Sequence, residues 1–296
     1  MVTILKHIRI LAHVSLLIFV VMAPSVRAEF LPWNIPVNSS FRVGYLYGSQ
    51  VVSSASDQYS GNTVQLDISF GFPILSGAIE LAPINRLSVR MIGDVSVYGQ
   101  QNIIYGPWWT PTSGAPNGLY SDARPGYVGV EAAGLFDVWR SAGHRFGVIG
   151  GWRREYWWYN DEETSDMNAS VGSHDDVTST IPFVGLCAEM AYPGWRSTFE
   201  FLTSRFVYKT LNGSVRQNQY GEYHCVAQDG VLLEGRIQGM APITSNLLLG
   251  LYGRYSYQNV AGGFDGLKDS IVTRSLDVHV VENTLTLELQ LTFFFW

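Results

Sequence analysis

A carboxylate and an imidazole two residues apart are the strongest candidates for chemistry in this sequence. Glu222-Tyr223-His224 has acid-x-His spacing, and residues i and i+2 of a β-strand project to the same face. A carboxylate paired with an imidazole can deprotonate a water molecule by general-base catalysis. Asp122, a lone acid in a predicted loop, is the third candidate. These three residues form our candidate catalytic set, with a chance pairing of Glu222 and His224 as the alternative.

Other groups that could bind a metal or react are scattered. His174-Asp175-Asp176 lies in a stretch rich in Asp, Glu, Ser and Thr, which is typical of a solvated acidic loop; a divalent-cation or catalytic role is the alternative. Cys187 and Cys225 lie near opposite ends of their predicted strands, whereas a disulfide needs a Cα separation of about 4.4–6.8 Å. They also lack metal-binding spacing. We therefore expect two free cysteines, no metal and no cofactor.

The composition indicates what kind of fold must position these groups. Of 296 residues, 47% are hydrophobic and 15% are charged, with 30 Gly, 9 Trp, 16 Tyr and 15 Phe. The charged share is below the roughly 25% typical of soluble domains. Beyond residue 28, no segment reaches the roughly 18 apolar residues of a spanning helix. These features exclude a helical membrane protein, a disordered chain, a coiled coil and a disulfide scaffold, and they favour an all-β protein.

The amino terminus predicts export. Lys6 and Arg9 precede an apolar run over 10–22, and Val26-Arg27-Ala28 resembles a cleavage site, so we predict a signal peptide over 1–28. A membrane anchor is the alternative, weakened by the short run and by His13. The mature chain, 29–296, has 16 basic residues (19 less the three of the leader) and 25 acidic ones, a net charge of −9. An acidic exported chain is a poor nucleic-acid binder.

Period-two alternation predicts strands with one apolar and one polar face. In 64–72 we assign Val64, Phe70 and Phe72 to the apolar, outward face and Asp67 to the inner face. The stretches 87–98, 247–257 and 284–295 alternate in the same way. A β-sandwich would also alternate, so the connections must separate the two folds.

Short and long links follow one another along the chain. The short links are 136–143, 191–195 and 239–246; the long ones are 100–125, 160–180, 209–222 and 258–269. This rhythm is typical of an up-and-down transmembrane barrel with short periplasmic turns and long external loops. We predict ten strands, at 41–53, 63–72, 87–99, 126–135, 144–159, 181–190, 196–208, 223–238, 247–257 and 271–295. The link over 73–86 is longer than a tight turn and fits this rhythm poorly.

A barrel in lipid must hold its charges inside, because a basic side chain facing the bilayer midplane costs about 2–4 kcal/mol. The predicted inward charges are Arg42, Asp67, Arg90, Asp94, Glu131, Arg153, Glu189, Glu200, Glu234, Arg236, Arg254 and Glu288. Because an open channel needs about sixteen strands, we expect a lumen plugged by paired charges; a narrow proton or ion path is the alternative. Aromatic residues near strand ends predict interfacial girdles, namely Tyr45, Tyr47, Trp157, Trp158, Tyr159, Tyr255 and Tyr257.

Several segments resemble the omptins, surface endopeptidases of Gram-negative outer membranes. Gln65-Leu66-Asp67 with Phe70, Gly77-Ala78-Ile79, Ser88 and Gly93 is similar to their second and third strands. Tyr120-Ser121-Asp122-Ala123-Arg124-Pro125 is similar to the Trp-Thr-Asp-x-Ser-x-His-Pro signature of their second external loop, without its His. His144-Arg145-Phe146-Gly147-Val148, with Gly151 and Trp152, is similar to their fifth strand. The resemblance implies a ten-stranded barrel in the bacterial outer membrane.

The omptin resemblance also implies a catalytic layout from which this sequence departs. Omptins use an aspartate pair in the second external loop and an Asp-x-His in the fourth. At the first place this chain has Tyr105 and Pro107, and neither residue is acidic. Glu222 and His224 have the spacing of the second pair but lie several residues later. We therefore predict a diverged omptin-like barrel without peptidase activity, with a role in binding, adhesion or envelope structure.

Two further functions stay open: a diverged endopeptidase that uses Glu222, His224 and Asp122, and a narrow channel or transporter. The expected partners are outer-membrane lipid, including lipopolysaccharide, and a protein or peptide ligand at loops such as 106–125, which carries Trp108-Trp109. Outward Arg154 or Lys209 could contact lipid phosphates through charge-assisted hydrogen bonds.

Overall fold

The computed structural model describes residues 36–55, 63–97, 103–105, 119–121, 123–141, 143–161, 173–215, 222–265 and 277–295. At several strand ends it describes the backbone alone. The predicted signal peptide therefore lies outside the described residues. In this part of the chain, no helix is long and apolar enough to cross a membrane.

The described residues form one antiparallel sheet. Its strands are β1 Val37–Ala55, β2 Thr63–Ile84, β3 Leu87–Ser96, β4 Ile103–Tyr105, β5 Leu119–Ser121, β6 Ala123–Ser141, β7 His144–Asp161, β8 Ser173–Tyr192, β9 Trp195–Ser204, β10 Tyr208–Val215, β11 Glu222–Thr244, β12 Leu247–Asp265 and β13 Asp277–Phe295. Three pairs of segments share a place in the wall, so the thirteen segments make ten wall strands: β3 with β4, β5 with β6, and β9 with β10.

The sheet closes into a barrel at its first strand. Every residue of β1 pairs with β13 on one side and with β2 on the other. Closure at β1 pairs the first and last strands of the sheet, which would otherwise be its edges. The predicted all-β, up-and-down barrel of about ten strands is confirmed.

The short turns, the start of β1 and the end of β13 lie at one end of the barrel. Two-residue links at 85–86, 142–143, 193–194 and 245–246 join consecutive strands there, and Val37 pairs with Phe295 at the same end. We call this the turn end, and the opposite end, toward which the long links extend, the loop end. Cys187 lies near the turn end of β8 and Cys225 at the loop end of β11, the predicted separation.

Most of the strands are longer than predicted, and the extra length of β2 explains the link over 73–86, which fitted the predicted rhythm poorly. β2 continues through Pro73, which lies opposite Tyr45 of β1, and ends at the turn Asn85-Arg86. His174, Asp175 and Asp176 lie in β8 rather than in a loop. Both predictions were wrong for one reason: the wall extends several residues beyond the alternating segments at each end.

The two faces of the wall separate apolar from polar side chains. On β3, β12 and β13, the outward residues include exposed Met91, Leu251 and Leu287, while Asp94, Arg254 and Glu288 are buried inside. The predicted faces of these three strands are confirmed.

On β2 the predicted faces are reversed. Phe70, Phe72 and Ile74 are buried inside the barrel, so the apolar face of this stretch points inward. The reason is that the lumen toward the loop end is filled with apolar side chains from several strands, which form one buried cluster. Alternation locates a strand but does not say which of its faces is enclosed.

Candidate functional site

A network of buried ion pairs fills the middle of the lumen. Arg153 on β7 donates hydrogen bonds to Glu131 at 2.9 and 3.1 Å and to Glu234 at 2.7 Å. Arg236 on β11 bonds the same two glutamates and also reaches Glu200 at 3.3 Å. Two arginines thus share three carboxylates contributed by strands from opposite parts of the wall.

The network extends toward the turn end through two further arginines. Arg90 pairs with Glu200, and Arg145 pairs with Glu189 at 2.9 Å and with Glu80 at 3.6 Å. We call this whole set of interior pairs the ionic network.

A second branch of the ionic network joins the neighbouring strands β1 and β13, and also β12, to Asp94 on β3. Arg42 lies 3.5 Å from Glu288 and 3.9 Å from Asp94, which also binds Arg254 at 3.2 Å. The predicted interior lattice is confirmed for all its members except Asp67, whose side chain lies outside the described residues.

A polar layer lies above the ionic network, on its loop-end side. Lys209 is fully buried and bonds Glu282, so the prediction that Lys209 faces outward was wrong. Gln258 donates hydrogen bonds to Glu155 at 3.1 Å and to Glu282 at 3.5 Å. Tyr208 and Lys209 are consecutive and lie on opposite faces of β10, so Tyr208 points outward and Lys209 inward.

An aromatic cluster of four side chains closes the lumen beyond this layer. The centroid of the Trp157 ring lies 4.4 Å from that of Tyr127, 4.9 Å from that of Phe70 and 6.0 Å from that of Phe72. Trp157 is 1% exposed, so its prediction as a girdle residue was wrong. Arg153, Glu155 and Trp157 are every second residue of β7 and therefore share one face. Because Arg153 was predicted to point inward, this spacing could have placed Trp157 inside as well.

The outer face carries the other predicted girdle residues whose side chains the structure describes; the side chain of Tyr159 lies outside the described residues. Tyr45, Tyr47 and Tyr255 are exposed there, and Trp158 stacks on Tyr156 with ring centroids 5.6 Å apart. Arg154 is exposed on the same face of β7, as predicted. The outer wall therefore carries aromatic rings near the middle of β1 and β12 and, toward the loop end of β7, aromatic rings together with a basic group.

Two of the predicted catalytic residues, Glu222 and His224, lie at the loop end of the barrel. Glu222 and His224 begin β11, where the backbone of His224 lies opposite Asn212 and Asp265. Their side chains, and the whole of Asp122, lie outside the described residues, so the catalytic set stays a prediction.

The strand order places the two expected halves of an omptin-like site across the mouth from one another. Tyr105 ends β4, which continues β3, and Glu222 begins β11; the two wall strands are five apart in either direction around a ring of ten. Pro107, Trp108 and Trp109 lie outside the described residues. A ligand touching both places would therefore span the barrel mouth.

Comparison with known proteins gives a structural likeness only. The sequence matches no protein-family model and no curated protein. The fold is similar to that of the outer membrane protease OmpT from Escherichia coli, with a TM-score of 0.75 and 15% identity over 88% of this chain and 97% of that one. At this identity the likeness establishes the barrel fold.

Two other solved barrels are less similar in shape. The outer membrane protein OprG from Pseudomonas aeruginosa has a TM-score of 0.43 at 9% identity, covering 87% of this chain and 95% of its own. The translocator domain of the autotransporter NalP from Neisseria meningitidis has a TM-score of 0.40 at 7% identity, covering 91% and 92%.

Proposed function

We propose that this chain is an outer-membrane barrel of omptin type, exported by a signal peptide over 1–28, that does not cleave peptides. Its role is in surface binding, adhesion or envelope structure. The observation that carries the proposal is the pair Tyr105 and Pro107, where the omptin layout needs two carboxylates. A phenol is protonated at neutral pH and proline has no acid–base group, so this pair cannot act as a general base.

The filled lumen supports a role at the surface. The ionic network and the aromatic cluster occupy the interior with side chains that are almost fully buried. A ligand therefore meets the barrel at its mouth and external loops. An apolar outer face that carries aromatic rings supports a membrane position.

The peptidase test compares the refolded wild-type barrel with Glu222→Ala and His224→Ala variants on peptides that contain paired basic residues. We expect no difference in cleavage between the three proteins. His279→Ala, which removes an exposed histidine from β13, is the matched control. Cleavage by wild type and His279→Ala, but by neither of the other variants, would establish the endopeptidase alternative.

A binding role is tested with a random displayed-peptide library selected on the refolded barrel. We expect enriched peptides to bind wild type and to lose binding to the Trp108→Ala, Trp109→Ala double variant, because aromatic anchors dominate binding energy. No enrichment, or enrichment that survives the double variant, would contradict binding through this loop.

Lipopolysaccharide is the proposed lipid partner, and exposed Arg154 is its proposed contact. Guanidinium groups bind phosphate through charge-assisted hydrogen bonds. We expect Arg154→Ala to weaken binding to lipopolysaccharide vesicles and to reduce its salt dependence. The buried neighbour Arg153 is no suitable control because it holds the lumen together; His279→Ala again serves.

A further inference from the structure

Five buried polar atoms of the aromatic cluster, the ionic network and the residues between them have no hydrogen-bond partner among the described residues. Three belong to consecutive inward residues of β12, and the others come from β13 and β6. They are Arg254 Nε, Ser256 Oγ, Gln258 Oε1, Thr286 Oγ1 and the Tyr127 hydroxyl. All five side chains belong to residues at most 7% exposed, so bulk water does not reach them.

Three residues on neighbouring strands of the opposite wall form a row, and the middle one is a glycine. Asp94, Gly129 and Glu155 lie side by side on β3, β6 and β7. Gly129 has no side chain, and the Tyr127 hydroxyl occupies the space where a Cβ would stand. Because neighbouring strands are about 4.8 Å apart, the two carboxyl-bearing strands are separated by about 10 Å.

Two bridges from β12 span the lumen to the ends of this row. Arg254 Nη1 bonds Asp94 at 3.2 Å, and Gln258 Nε2 bonds Glu155 at 3.1 Å. Ser256 lies between the two bridging residues on the same inward face of β12. We call the region bounded by the two bridges, the Tyr127 hydroxyl and Ser256 the Gly129 chamber.

The hydrogen-bond donors and acceptors in the chamber determine which ligand it can bind. Arg254 Nε can only donate a hydrogen bond and Gln258 Oε1 can only accept one, while the hydroxyls do both. A cation would leave the donor unpaired, and an anion would lie beside Asp94 and Glu155. Water both donates and accepts, and buried polar groups without protein partners are usually paired with ordered water.

We infer that the Gly129 chamber binds a buried cluster of ordered water molecules that joins Tyr127, Ser256 and Thr286 to the two bridges. Arg153 already links the ionic network to Glu155 of the polar layer at 3.5 Å, and this water adds a second connection between the two.

A crystal structure of the refolded barrel at a resolution that reveals ordered water tests the site directly. We expect a water oxygen about 2.7–3.2 Å from both the Tyr127 hydroxyl and Ser256 Oγ. A dry chamber, or direct pairing of these groups with other side chains, would overturn the inference.

A double-mutant cycle tests it in solution. A variant that removes one water ligand, Tyr127→Phe or Ser256→Ala, should lower the folding equilibrium constant about fivefold, the worth of one net hydrogen bond. The double variant should lower it by less than the product, because either change already disturbs the shared water. Tyr47→Phe, on the exposed outer face, is the control and should change nothing.

A dry chamber gives the opposite result, because each substitution then removes an unpaired buried group. A rise in the folding constant, no change, or losses that simply multiply would each overturn the inference. If Tyr127→Phe fails to fold, Ser256→Ala combined with Thr286→Val repeats the cycle on β12 and β13.

Discussion

At the scale of single residues, consecutive arginines on β7 have opposite environments. Arg153 is 2% exposed and bonds Glu131 and Glu234 inside the lumen, whereas Arg154 is exposed on the outer face. The pleat of the strand alone causes this difference. The pair therefore separates the contribution of an interior charge from that of a surface charge.

We expect Arg153→Ala to lower the free energy of unfolding by roughly 3–5 kcal/mol, because it leaves buried carboxylates without their partner. Arg154→Ala should change it by about 0.5 kcal/mol or less, as surface substitutions do. Urea unfolding of the barrel refolded into lipid vesicles measures both. Equal losses for the two variants would contradict an interior network that depends on Arg153.

At the scale of elements, β7 also separates two tryptophans. Trp157 packs in the aromatic cluster, while Trp152 is 40% exposed on the outer face. Trp157→Ala should cost about 3–5 kcal/mol, because it leaves a cavity among Phe70, Phe72 and Tyr127. Trp152→Ala should cost clearly less in the same urea titration. A larger loss for Trp152→Ala than for Trp157→Ala would contradict the assignment of Trp157 to the enclosed face of β7.

The turns make a second prediction at this scale. Arg86 has a φ of +93°, and Gly194 takes the same place in its turn with a φ of +77°. A side chain in this left-handed region costs about 1–2 kcal/mol, and glycine avoids that cost. Arg86→Gly should therefore stabilise the barrel by about 1 kcal/mol, and Gly194→Ala should destabilise it similarly. Urea midpoints that moved in the same direction would contradict this account.

At the scale of the whole molecule, the filled lumen argues against the channel alternative. The ionic network, the polar layer and the aromatic cluster follow one another from the turn end to the loop end. We expect no ion conductance above background in planar bilayers, for wild type and for Trp157→Ala alike, because the ionic network lies below the aromatic cluster. Stable conductance steps in wild type would establish the channel alternative.

Much of this architecture follows from the sequence by itself. Alternation with period two, the succession of short and long links and the inward charges on β3, β12 and β13 predicted a closed barrel with a plugged lumen. These features are local. The bilayer and the pleat constrain each strand separately, so the pattern can be seen in the sequence of each strand.

Only the tertiary structure decided which face of β2 is enclosed, that Lys209 points inward, and which carboxylates each arginine binds. The physical reason is that all three depend on side chains of other strands, which for Arg153 and its two glutamates lie 22 and 81 residues away along the chain. Alternation gives two equivalent faces, and closure of the barrel chooses between them.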